Sequence, residues 1–583
     1  MTGRAFLDVS QSLTGRFWTG PPPETERMAE ALAQATRHPL ALCTVLARSG
    51  VTPATSEAYL NPRLRDLMPD PRSLKDMEKA AARLVAAVNR HQRIAIFADY
   101  DVDGGSSAAL LIRWLRDLGI EARLYVPDRI DEGYGPNVPA MQDLAAQHDL
   151  IICVDCGTLS HEPIAAVAGT DVLVLDHHLG GETLPPAHAV VNPNRQDEDG
   201  TLSYLCAAGV VFLLLVEANR VLRAGGTSAL PDLMALLDLV ALATVADVAP
   251  LIGLNRAFVQ QGLKIMARRG NPGLAALADI ARLDRAPSAY HLGYVLGPRI
   301  NAGGRIGRAD MGARLLSTTS AEDAAGLAAR LDELNGERRE IENQVRDAAL
   351  AQAEDRGIDA PLTWAAGDGW HPGVVGIVAA RLKEAANRPA VVIGFDGDAG
   401  KGSGRSVQGI DLGAAIQRLA HEGLIEKGGG HKMAAGLSLS RAQLDPAMAR
   451  LADLLARQGA GQGPARPLKL DGLLMPGAAD PALIAALDLA GPFGAGAPAP
   501  RFALPACMIH DARRVGQNHL KLSVSDGMDA RLDVIAFSAF DNALGPALSD
   551  RVGRSAHLAG RLDLNVWNGR EKAQLILEDA AFG

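Results

Sequence analysis

Three short apolar runs in the first third of the chain are each followed by acidic residues. The runs cover residues 93–97, 150–154 and 172–175 and are rich in residues that favour strands. Asp99, Asp155 and Asp176 come after them. Ligand sites of parallel sheets lie at the carboxyl ends of the strands, so these carboxylates are expected to lie close together. Ionised groups beside an apolar sheet are costly unless something compensates their charge, and this pattern therefore predicts bound cations.

Strands and helices alternate between residues 90 and 195. A helix is predicted to open at Ser106 and Ser107, and amphipathic segments separate the later strands. The strands are predicted at 93–98, 122–126, 150–154, 171–175 and 188–191. Such alternation, with continuously apolar strands, is typical of a parallel sheet covered by helices on both faces. The fold class is therefore predicted to be α/β, with several domains.

The length of 583 residues is too great for one hydrophobic core. We expect an N-terminal helical extension, a parallel-sheet metal-binding domain, a long connecting helix, a smaller α/β domain and a C-terminal all-β barrel of the OB type. Their predicted limits are 1–75, 76–320, 321–353, 354–460 and 461–583. Residues 459–467 have the composition of a linker.

Composition narrows the setting in which the chain acts. Hydrophobic residues make up 48% and charged residues 21%, which is typical of a soluble globular protein. No apolar run reaches the length of a membrane span, and no export signal is found at the N-terminus. Five scattered cysteines favour reduced thiols, so a cytoplasmic location is expected. The net charge of −9 does not exclude a nucleic acid, because bound metals would invert the local charge of the carboxylates.

Six residues are predicted to ligate two divalent cations. Asp155 is the natural bridging ligand, His177 supplies an imidazole nitrogen, and Asp247 at a predicted helix end completes the second site. The full set is Asp99, Asp101, Asp103, Asp155, His177 and Asp247. Carboxylates mixed with imidazole suit Mn²⁺ or Mg²⁺, and the histidine favours Mn²⁺. Two such cations can activate a water and hold both oxygens of a phosphodiester displacement.

Each aspartate taken alone has an alternative interpretation as a helix N-cap or turn residue. Four acidic groups at successive element ends favour the metal site. His178 has three possible roles, as a ligand, a partner of a phosphate oxygen or a packing residue, and we favour contact with the scissile phosphate.

These acidic motifs resemble the four motifs of the DHH phosphoesterase superfamily. The resembling segments are Asp99-Tyr100-Asp101-Val102-Asp103-Gly104, Val154-Asp155-Cys156-Gly157-Thr158, Asp176-His177-His178 and Ala246-Asp247. The first is similar to the form found in the RecJ family of single-strand-specific 5′ exonucleases, and further similar motifs extend over roughly residues 55–500. The resemblance implies hydrolysis of single-stranded DNA from 5′ to 3′ with release of 5′-mononucleotides, in DNA repair and recombination. It implies catalytic roles for Asp101, Asp103, Asp155 and His178.

Two glycine-rich segments in the second α/β domain are predicted to be phosphate-binding loops. Residues 402–406 combine backbone N–H groups with a hydroxyl and a guanidinium, and residues 429–431 add a turn that ends in a histidine. In the family this domain, called DHHA1, holds the nucleic acid. The resemblance then implies that Arg129, Ser403 and Arg405 bind the 5′-terminal phosphate. It also assigns substrate contacts to Arg299, Asn301, Arg305, His371, Gly430 and His431, with an interdomain ion pair as the alternative for Arg299 and Arg305.

The barrel is expected to bind the strand without sequence preference. The expected partners are single-stranded DNA with a 5′ end, a single-strand-binding protein and a helicase, with no membrane and a monomeric state. One departure from the family lies near the barrel, where Ala497-Pro498 follows Gly491-Pro492-Phe493-Gly494 in place of the usual Asn-Pro pair.

Two other functions compete with exonuclease activity. A phosphodiesterase acting on short oligonucleotides or cyclic dinucleotides could use the same core. Relatives of that kind generally lack the barrel and carry a histidine where this chain has Phe97. A catalytically silent nucleic-acid scaffold could lose its carboxylates without penalty, yet all of them are present.

Overall fold

The computed structural model describes residues 5–129, 132–357, 360–461, 467–527, 530–567 and 569–582. The described residues form the following strands: β1 Phe17–Thr19, β2 Ile94–Ala98, β3 Ala122–Tyr125, β4 Leu150–Val154, β5 Asp171–Leu175, β6 Ala189–Val191, β7 Thr363–Asp368, β8 Ala390–Asp396, β9 Ala399–Arg405, β10 Lys427–His431, β11 Ala434–Ser440, β12 Pro467–Lys469, β13 Phe502–Val515, β14 His519–Ser525, β15 Arg531–Ala536, β16 Ser555–Trp567 and β17 Arg570–Ala581.

The α-helices of the same residues are α1 Pro23–Thr36, α2 Leu40–Arg48, α3 Ser56–Leu60, α4 Leu64–Leu67, α5 Met77–Asn89, α6 Val102–Asp117, α7 Val138–Gln147, α8 His161–Ala165, α9 Ala207–Ala224, α10 Leu237–Ala246, α11 Gly253–Met266, α12 Pro272–Ile280, α13 Gly297–Ile306, α14 Met311–Ser317, α15 Ala321–Arg356, α16 Pro372–Ala386, α17 Leu412–His421, α18 Leu444–Arg457, α19 Pro481–Asp488 and α20 Leu544–Ser549. A π-helical turn, His291–Leu296, precedes α13. Within the described residues, no helix combines the length and apolar character needed to cross a membrane.

Two compact units make up the fold. One contains residues 1–68, 250–260 and 464–583, and the other contains residues 69–249 and 261–463. The N-terminal helical segment, for which a separate extension was predicted, belongs to the same unit as the C-terminal barrel. The predicted domain limits are not tested by this division and stay a prediction.

The larger unit contains the predicted parallel sheet. Its strand order is β3-β2-β4-β5-β6, with every neighbouring pair parallel. Every residue of β2 and β4 is buried, as the uninterrupted apolar runs predict. The predicted α/β class is confirmed.

Helix α15 connects this sheet domain to a second one. It has 36 residues and ends three residues beyond the predicted limit of 353. A Cβ on Gly303 or Gly307 of the first domain would contact Leu331 or Leu334 near the middle of α15. Its last turns pack through Val345 and other small residues on α16.

The second sheet has the order β10-β11-β9-β8-β7, in which β7 and β8 are parallel and the other neighbours antiparallel. Two of its strands lie where loops were predicted. Residues 402–405 belong to β9, and residues 429–431 belong to β10. The loop predictions were wrong because both segments pair with β11, Gly402 with Leu437 and Gly430 with Ala435. A Cβ on Gly404 would lie 2.7 Å from Cδ2 of Leu412.

The smaller unit is built around a closed barrel, β13-β14-β15-β17-β16, in agreement with the predicted OB-type fold. The segment at 467–469 forms β12, which lies outside the barrel and pairs in parallel with β1. Trp18 of β1 is fully buried, and its Nε1 donates a hydrogen bond of 2.8 Å to Asp579 in the last strand. The loop that carries the unusual Ala497 is closed by two hydrogen bonds between Gly494 and Ala497.

Candidate metal centre and phosphate site

Four neighbouring strands of the parallel sheet end on one line. The register pairs Ala98 with Val154, Val154 with Leu175, and Leu175 with Val191. The residues that follow these four are Asp99, Asp155, Asp176 and Asn192. The predicted convergence of acidic groups at the carboxyl edge is therefore present, and Asn192 joins it.

Helix α6 brings two further carboxylates to this edge. The helix begins at Val102, four residues before the predicted start, because Asp101 caps it. Oδ1 of Asp101 accepts hydrogen bonds from the backbone N–H groups of Asp103 at 2.8 Å and Gly104 at 3.1 Å. The N-cap alternative thus applies to Asp101. Its other carboxylate oxygen makes none of these capping bonds.

Asp103 is oriented by another helix. Its carboxylate is buried and accepts hydrogen bonds from the backbone N–H groups of Ala207 at 2.6 Å and Ala208 at 2.8 Å, in the first turn of α9. A helix N-terminus stabilises negative charge, so α9 holds this carboxylate in one orientation.

Three overlapping groups of side chains could each hold a metal ion. Within each group the ligand atoms lie within 4.8 Å of one another. The groups are Asp155–His177–His178, Asp103–His177–Asp247 and Asp99–Asp101–Asp155. Asp155 and His177 each occur in two groups. Together the groups contain all six predicted ligands and add His178.

Unsatisfied oxygens support a cation at this position. Oδ1 of Asp99 and Oδ1 of Asp155 are buried and accept no hydrogen bond from the described residues. Nε2 of His177 lies 3.3 Å from Oδ1 of Asp155 and 3.8 Å from Oδ2 of Asp247. Buried carboxylate oxygens without donors are expected where a divalent cation binds, so this set of donors fits the predicted metals.

Electrostatics lead to the same conclusion. Burial, followed by repulsion from Asp101, raises the pKa of Asp99 well above its usual value. Burial and the Asp103 carboxylate do the same to the pKa of Asp155 and raise that of Asp247 to about 8. Without a cation the cluster is therefore destabilised by its own charge, and divalent cations would relieve this repulsion.

Asp176 does not join the three groups and binds a histidine instead. Its Oδ1 accepts hydrogen bonds from the backbone N–H groups of His177 and His178 and lies 2.8 Å from Nδ1 of His178. Burial alone would raise the pKa of Asp176, but the bond to His178 holds it well below its usual range. Although burial opposes it, the same pair raises the pKa of His178 to about 9.

A second cluster, of cationic side chains, lies in the same unit around the N-terminus of α16. The guanidinium of Arg129 lies 5.1 Å from the ring centroid of Tyr100, next to Asp101. Burial and the charge of Arg129 lower the pKa of Arg305 to about 10, and they also lower the pKa values of Arg405 and His371. The guanidinium groups of Arg129, Arg305 and Arg405 are thus held close together, and this indicates an anion site.

Backbone contacts fix this cluster. Nη1 of Arg305 donates a hydrogen bond of 3.0 Å to the carbonyl of Gly373, and a Cβ on Gly373 would lie 2.5 Å from the carbonyl oxygen of Arg305. Nη1 of Arg405 donates to Oγ of Ser403 at 2.9 Å. A Cβ on Gly376 would lie 3.1 Å from both Oγ of Ser403 and Nη2 of Arg405. Glycine on α16 therefore lets Ser403 and Arg405 approach the helix closely.

The remaining predicted substrate residues occupy three different settings. In the second sheet, Arg405 of β9 is the register partner of Ala434 of β11, and Ala434 is also the partner of His431 of β10. The backbone of His431, with Gly430 beside it, therefore lies two strands from that of Arg405, about 10 Å away. Nε of Arg299 donates a hydrogen bond of 2.8 Å to Asp332 on α15, which is the ion pair left open as an alternative. Oδ1 of Asn301 accepts a hydrogen bond of 3.1 Å from the backbone N–H of Val102. Both side chains therefore have structural partners.

Three family models match the chain. The DHH family N-terminal domain matches residues 93–244, the DHHA1 domain matches residues 359–457, and the RecJ OB domain matches residues 470–579. The single-stranded-DNA-specific exonuclease RecJ of Dickeya dadantii is 40% identical over 534 residues, which cover 88% of this chain and 92% of that protein. The chain belongs to the RecJ family. The RecJ of Escherichia coli is 38% identical and covers 87% of this chain and 90% of its own length.

Solved structures of the RecJ family have the same fold. The crystal structure of RecJ from Thermus thermophilus in complex with Mn²⁺ superimposes with a TM-score of 0.81 at 31% identity, covering 97% of this chain and 79% of that one. The structure of the same protein with Mg²⁺ gives a TM-score of 0.76 at 29% identity. The predicted family and fold are confirmed by these matches.

Sequence reasoning missed several residues that position the centre of this RecJ-family chain. Nδ2 of Asn192 donates hydrogen bonds of 2.8 Å to Oγ1 of Thr158 and to the carbonyl of His178. Nδ2 of Asn194 donates to the carbonyl of His177 at 2.6 Å. The Asn192-Pro193-Asn194 sequence directly after a predicted strand was the available signal. The hydroxyl of Tyr134 lies 3.1 Å from Nδ1 of His178. Its segment, Glu132-Gly133-Tyr134-Gly135, is one of the further motifs that resemble the family, but no role was predicted for the tyrosine.

Proposed function

We propose that this chain is a metal-dependent exonuclease that degrades single-stranded DNA from its 5′ end and releases 5′-mononucleotides. The observation that carries the proposal is the set of three overlapping ligand groups at the end of the parallel sheet. The activity named for the Dickeya dadantii and Escherichia coli relatives supports the choice of substrate.

Two divalent cations, Mn²⁺ or Mg²⁺ with Mn²⁺ favoured, are proposed as cofactors. Similar RecJ structures contain each of these ions. The proposed ligands are Asp99, Asp101, Asp103, Asp155, His177 and Asp247, with His178 within reach. When bound, such a pair of cations supplies Lewis-acid stabilisation of the phosphate and a water of lowered pKa.

His178 is proposed to bind a non-bridging oxygen of the scissile phosphate. Its Nδ1 faces Asp176, and a carboxylate there holds the ring in place and favours the protonated form. About 41% of the side chain is exposed, so the ring is accessible from outside the buried carboxylates. An imidazolium in this position stabilises the negative charge that develops on the phosphate oxygens.

The 5′-terminal phosphate is proposed to bind Arg129, Ser403 and Arg405, with Arg305 and His371 close by. Support comes from the lowered pKa values of Arg305 and Arg405, which burial and the nearby charge of Arg129 cause and which an anion between these groups would reverse. Gly430 and His431 are proposed to contact the backbone farther along the second sheet. We propose that Arg299 and Asn301 act indirectly, since Asp332 and Val102 engage their side chains.

We propose the domain limits 1–75, 76–320, 321–353, 354–460 and 461–583 as functional divisions, with the barrel as a strand-binding domain. The matched RecJ OB domain supports that role.

We also propose the cellular setting of the chain. It acts in DNA repair and recombination as a cytoplasmic monomer, and it contacts a single-strand-binding protein and a helicase. All five cysteines are buried and unpaired, which agrees with a reducing compartment.

The test uses purified protein, Mn²⁺ and a single strand labelled at either its 5′ or its 3′ end. We expect the 5′ label to appear first as a mononucleotide, and we expect Asp155→Ala to abolish its release. Asp347→Ala is the matched control, because Asp347 is 68% exposed and outside the three ligand groups. Earlier release of the 3′ label, or full activity of Asp155→Ala, would contradict the proposal.

A further inference from the structure

Two exposed tyrosines stack on each other at the start of the turn before α13. The ring centroids of Tyr290 and Tyr294 lie 5.2 Å apart with an interplanar angle of 25°. The residues are 63% and 69% exposed. Large aromatic rings that remain in solvent while stacked present a flat surface on which another ring system can bind.

The turn that carries this pair packs on the helix that ends at a proposed metal ligand. A Cβ on Gly293 would lie 3.4 Å from Cγ1 of Val245, and a Cβ on Gly297 would lie 3.3 Å from Cβ of Ala246. Asp247 is the next residue of the chain. The π-helical turn is therefore fixed to the end of α10 beside the candidate metal centre, and π-helical turns are frequent at functional sites.

Helix α13 relates the tyrosine pair to the two sites described above. Its first residue, Gly297, lies next to Ala246. Asn301, one turn later, accepts a hydrogen bond from Val102 at the start of α6, and Arg305 in the last turn donates to Gly373 beside the cationic cluster. Ten residues of helix span about 15 Å. The order along α13 is thus tyrosine pair, metal centre, cationic cluster.

We propose that Tyr290 and Tyr294 form a base-stacking platform for the nucleotides on the 3′ side of the scissile phosphate. The assignment rests on the proposed function, because it places the 5′-terminal phosphate in the cationic cluster and the scissile phosphate at the metal centre. The DNA strand that continues past the metal centre then reaches the N-terminal end of α13, where the tyrosines lie. Stacking on aromatic rings tolerates any base, as an exonuclease requires.

A cation lies beside the platform. Burial and then the charge of Arg285 lower the pKa of His291, whose ring is 5.9 Å from that of Tyr290. Asp284 acts in the opposite direction on His291. Nε of Arg285 lies 3.7 Å from Oδ1 of Asp284. The Arg285 side chain is nevertheless 63% exposed, so its guanidinium can contact a backbone phosphate while the neighbouring base stacks on the tyrosine pair.

The test measures binding separately from hydrolysis. A short 5′-phosphorylated oligothymidylate with 2-aminopurine at its third position is titrated with protein in EDTA at low salt. We expect the fluorescence of 2-aminopurine to be quenched by the full-length protein. Tyr290→Ala and Tyr294→Ala are each expected to weaken binding by roughly 5- to 150-fold, the range typical of the loss of one stacked base. The quenching should be lost as well.

Two kinds of variant separate stacking from general damage. Tyr290→Phe and Tyr294→Phe keep the rings and should retain affinity and quenching. Met234→Ala removes an exposed apolar side chain near the other end of α10 and should leave both unchanged. Unchanged affinity and quenching in both alanine variants would overturn the platform, and so would equal losses in the phenylalanine variants. If the tyrosine pair binds a protein partner and not DNA, both alanine variants should show this unchanged affinity and quenching.

Release of the 5′ label in Mn²⁺ is scored in parallel with wild-type protein. If the wild type releases the label but the alanine variants bind normally, the platform fails and the proposed function stands. If the wild type releases no label from the 5′ end but its binding depends on the two tyrosine rings, the proposed function fails and base stacking alone is supported.

Discussion

Nδ1 of His178 lies 2.8 Å from Oδ1 of Asp176. This contact connects the carboxylate that follows β5 to a partly exposed histidine of the candidate metal centre. The carboxylate also accepts backbone hydrogen bonds from both histidines of the motif. Asp176 is therefore a positioning residue, although it lies at the strand edge with the proposed ligands.

Replacing Asp176 by Asn should lower kcat by about 10- to 100-fold, as is usual for the loss of a carboxylate that orients a functional histidine. Binding of Mn²⁺, measured by isothermal titration calorimetry, should persist because the three ligand groups remain. Loss of all Mn²⁺ binding would place Asp176 among the ligands instead. Asp197→Asn, a partly exposed carboxylate bound to Arg195, serves as the control.

Divalent cations should stabilise the folded chain through Asp155. At a concentration of Mn²⁺ about 100 times Kd, the stabilisation is about 2.7 kcal/mol, seen as a higher melting temperature in differential scanning fluorimetry. Asp155→Asn removes a carboxylate that belongs to two ligand groups, so most of this shift should disappear. Asp284→Asn should keep the full shift. An equal shift in Asp155→Asn would mean that the stabilising ion binds elsewhere.

Arg405→Gln should discriminate between strands with and without a 5′ phosphate. A charge-assisted hydrogen bond is worth about 1.5–3 kcal/mol, so KM for a 5′-phosphorylated strand should rise at least about 10-fold. KM for a 5′-hydroxyl strand should change far less. Arg418→Gln is the matched control, because its guanidinium is exposed and binds Glu422 on the same sheet domain. Equal effects on both substrates would remove Arg405 from the 5′ phosphate site.

The packing of the glycine-rich strands gives a prediction about stability. Gly404→Ala should lower the free energy of unfolding by about 1–3 kcal/mol, because the new Cβ would lie 2.7 Å from Cδ2 of Leu412 and 3.3 Å from Cγ2 of Val391. Gly429→Ala, on β10 with no atom within 4 Å of its Cβ, should cost much less. Urea unfolding of the two variants gives the comparison. If the costs are equal, close packing does not explain the glycine at 404.

Asp238 on α10 should make stability depend on pH. Burial raises its pKa to about 6, and the opposing charge of Arg113 only partly offsets this. The folded chain therefore keeps the proton at pH values where the unfolded chain has lost it. The retained proton stabilises the folded chain fully below about pH 4, and its contribution is lost as the pH rises through 6. The free energy of unfolding therefore falls by at most about 3 kcal/mol over this range. Urea unfolding between these pH values should show a smaller decline for Asp238→Asn than for the wild type or for Asp284→Asn.

The parallel sheet and its acidic edge could be predicted because each depends on local pattern. An apolar run fixes a strand, and parallel register then brings Asp99, Asp155 and Asp176 together whatever the rest of the chain does. The start of α6 was misplaced by four residues because Asp101 was interpreted as a ligand, which concealed its capping role.

Contacts between distant segments could not be predicted in this way. The glycines at 402 and 404 looked like a loop because their packing partners, Ile393, Val391 and Leu412, become neighbours only within the folded sheet. The hydrogen bonds from Ala207 and Ala208 to Asp103 come from backbone atoms, which carry no residue signature. The ion pair between Arg299 and Asp332 depends on how α15 packs on α13.

The pairing of β1 with β12 can form only late in protein synthesis. Thr19 and its hydrogen-bond partner Leu468 are 449 residues apart in the chain. Ribosomes add about 5–20 residues per second, so the first strand must wait on the order of half a minute or more for its neighbour to be made. The barrel that Trp18 helps to seal is completed only when Asp579 has left the ribosome. The larger unit ends more than a hundred residues earlier, so the domains that carry the metal centre can fold first.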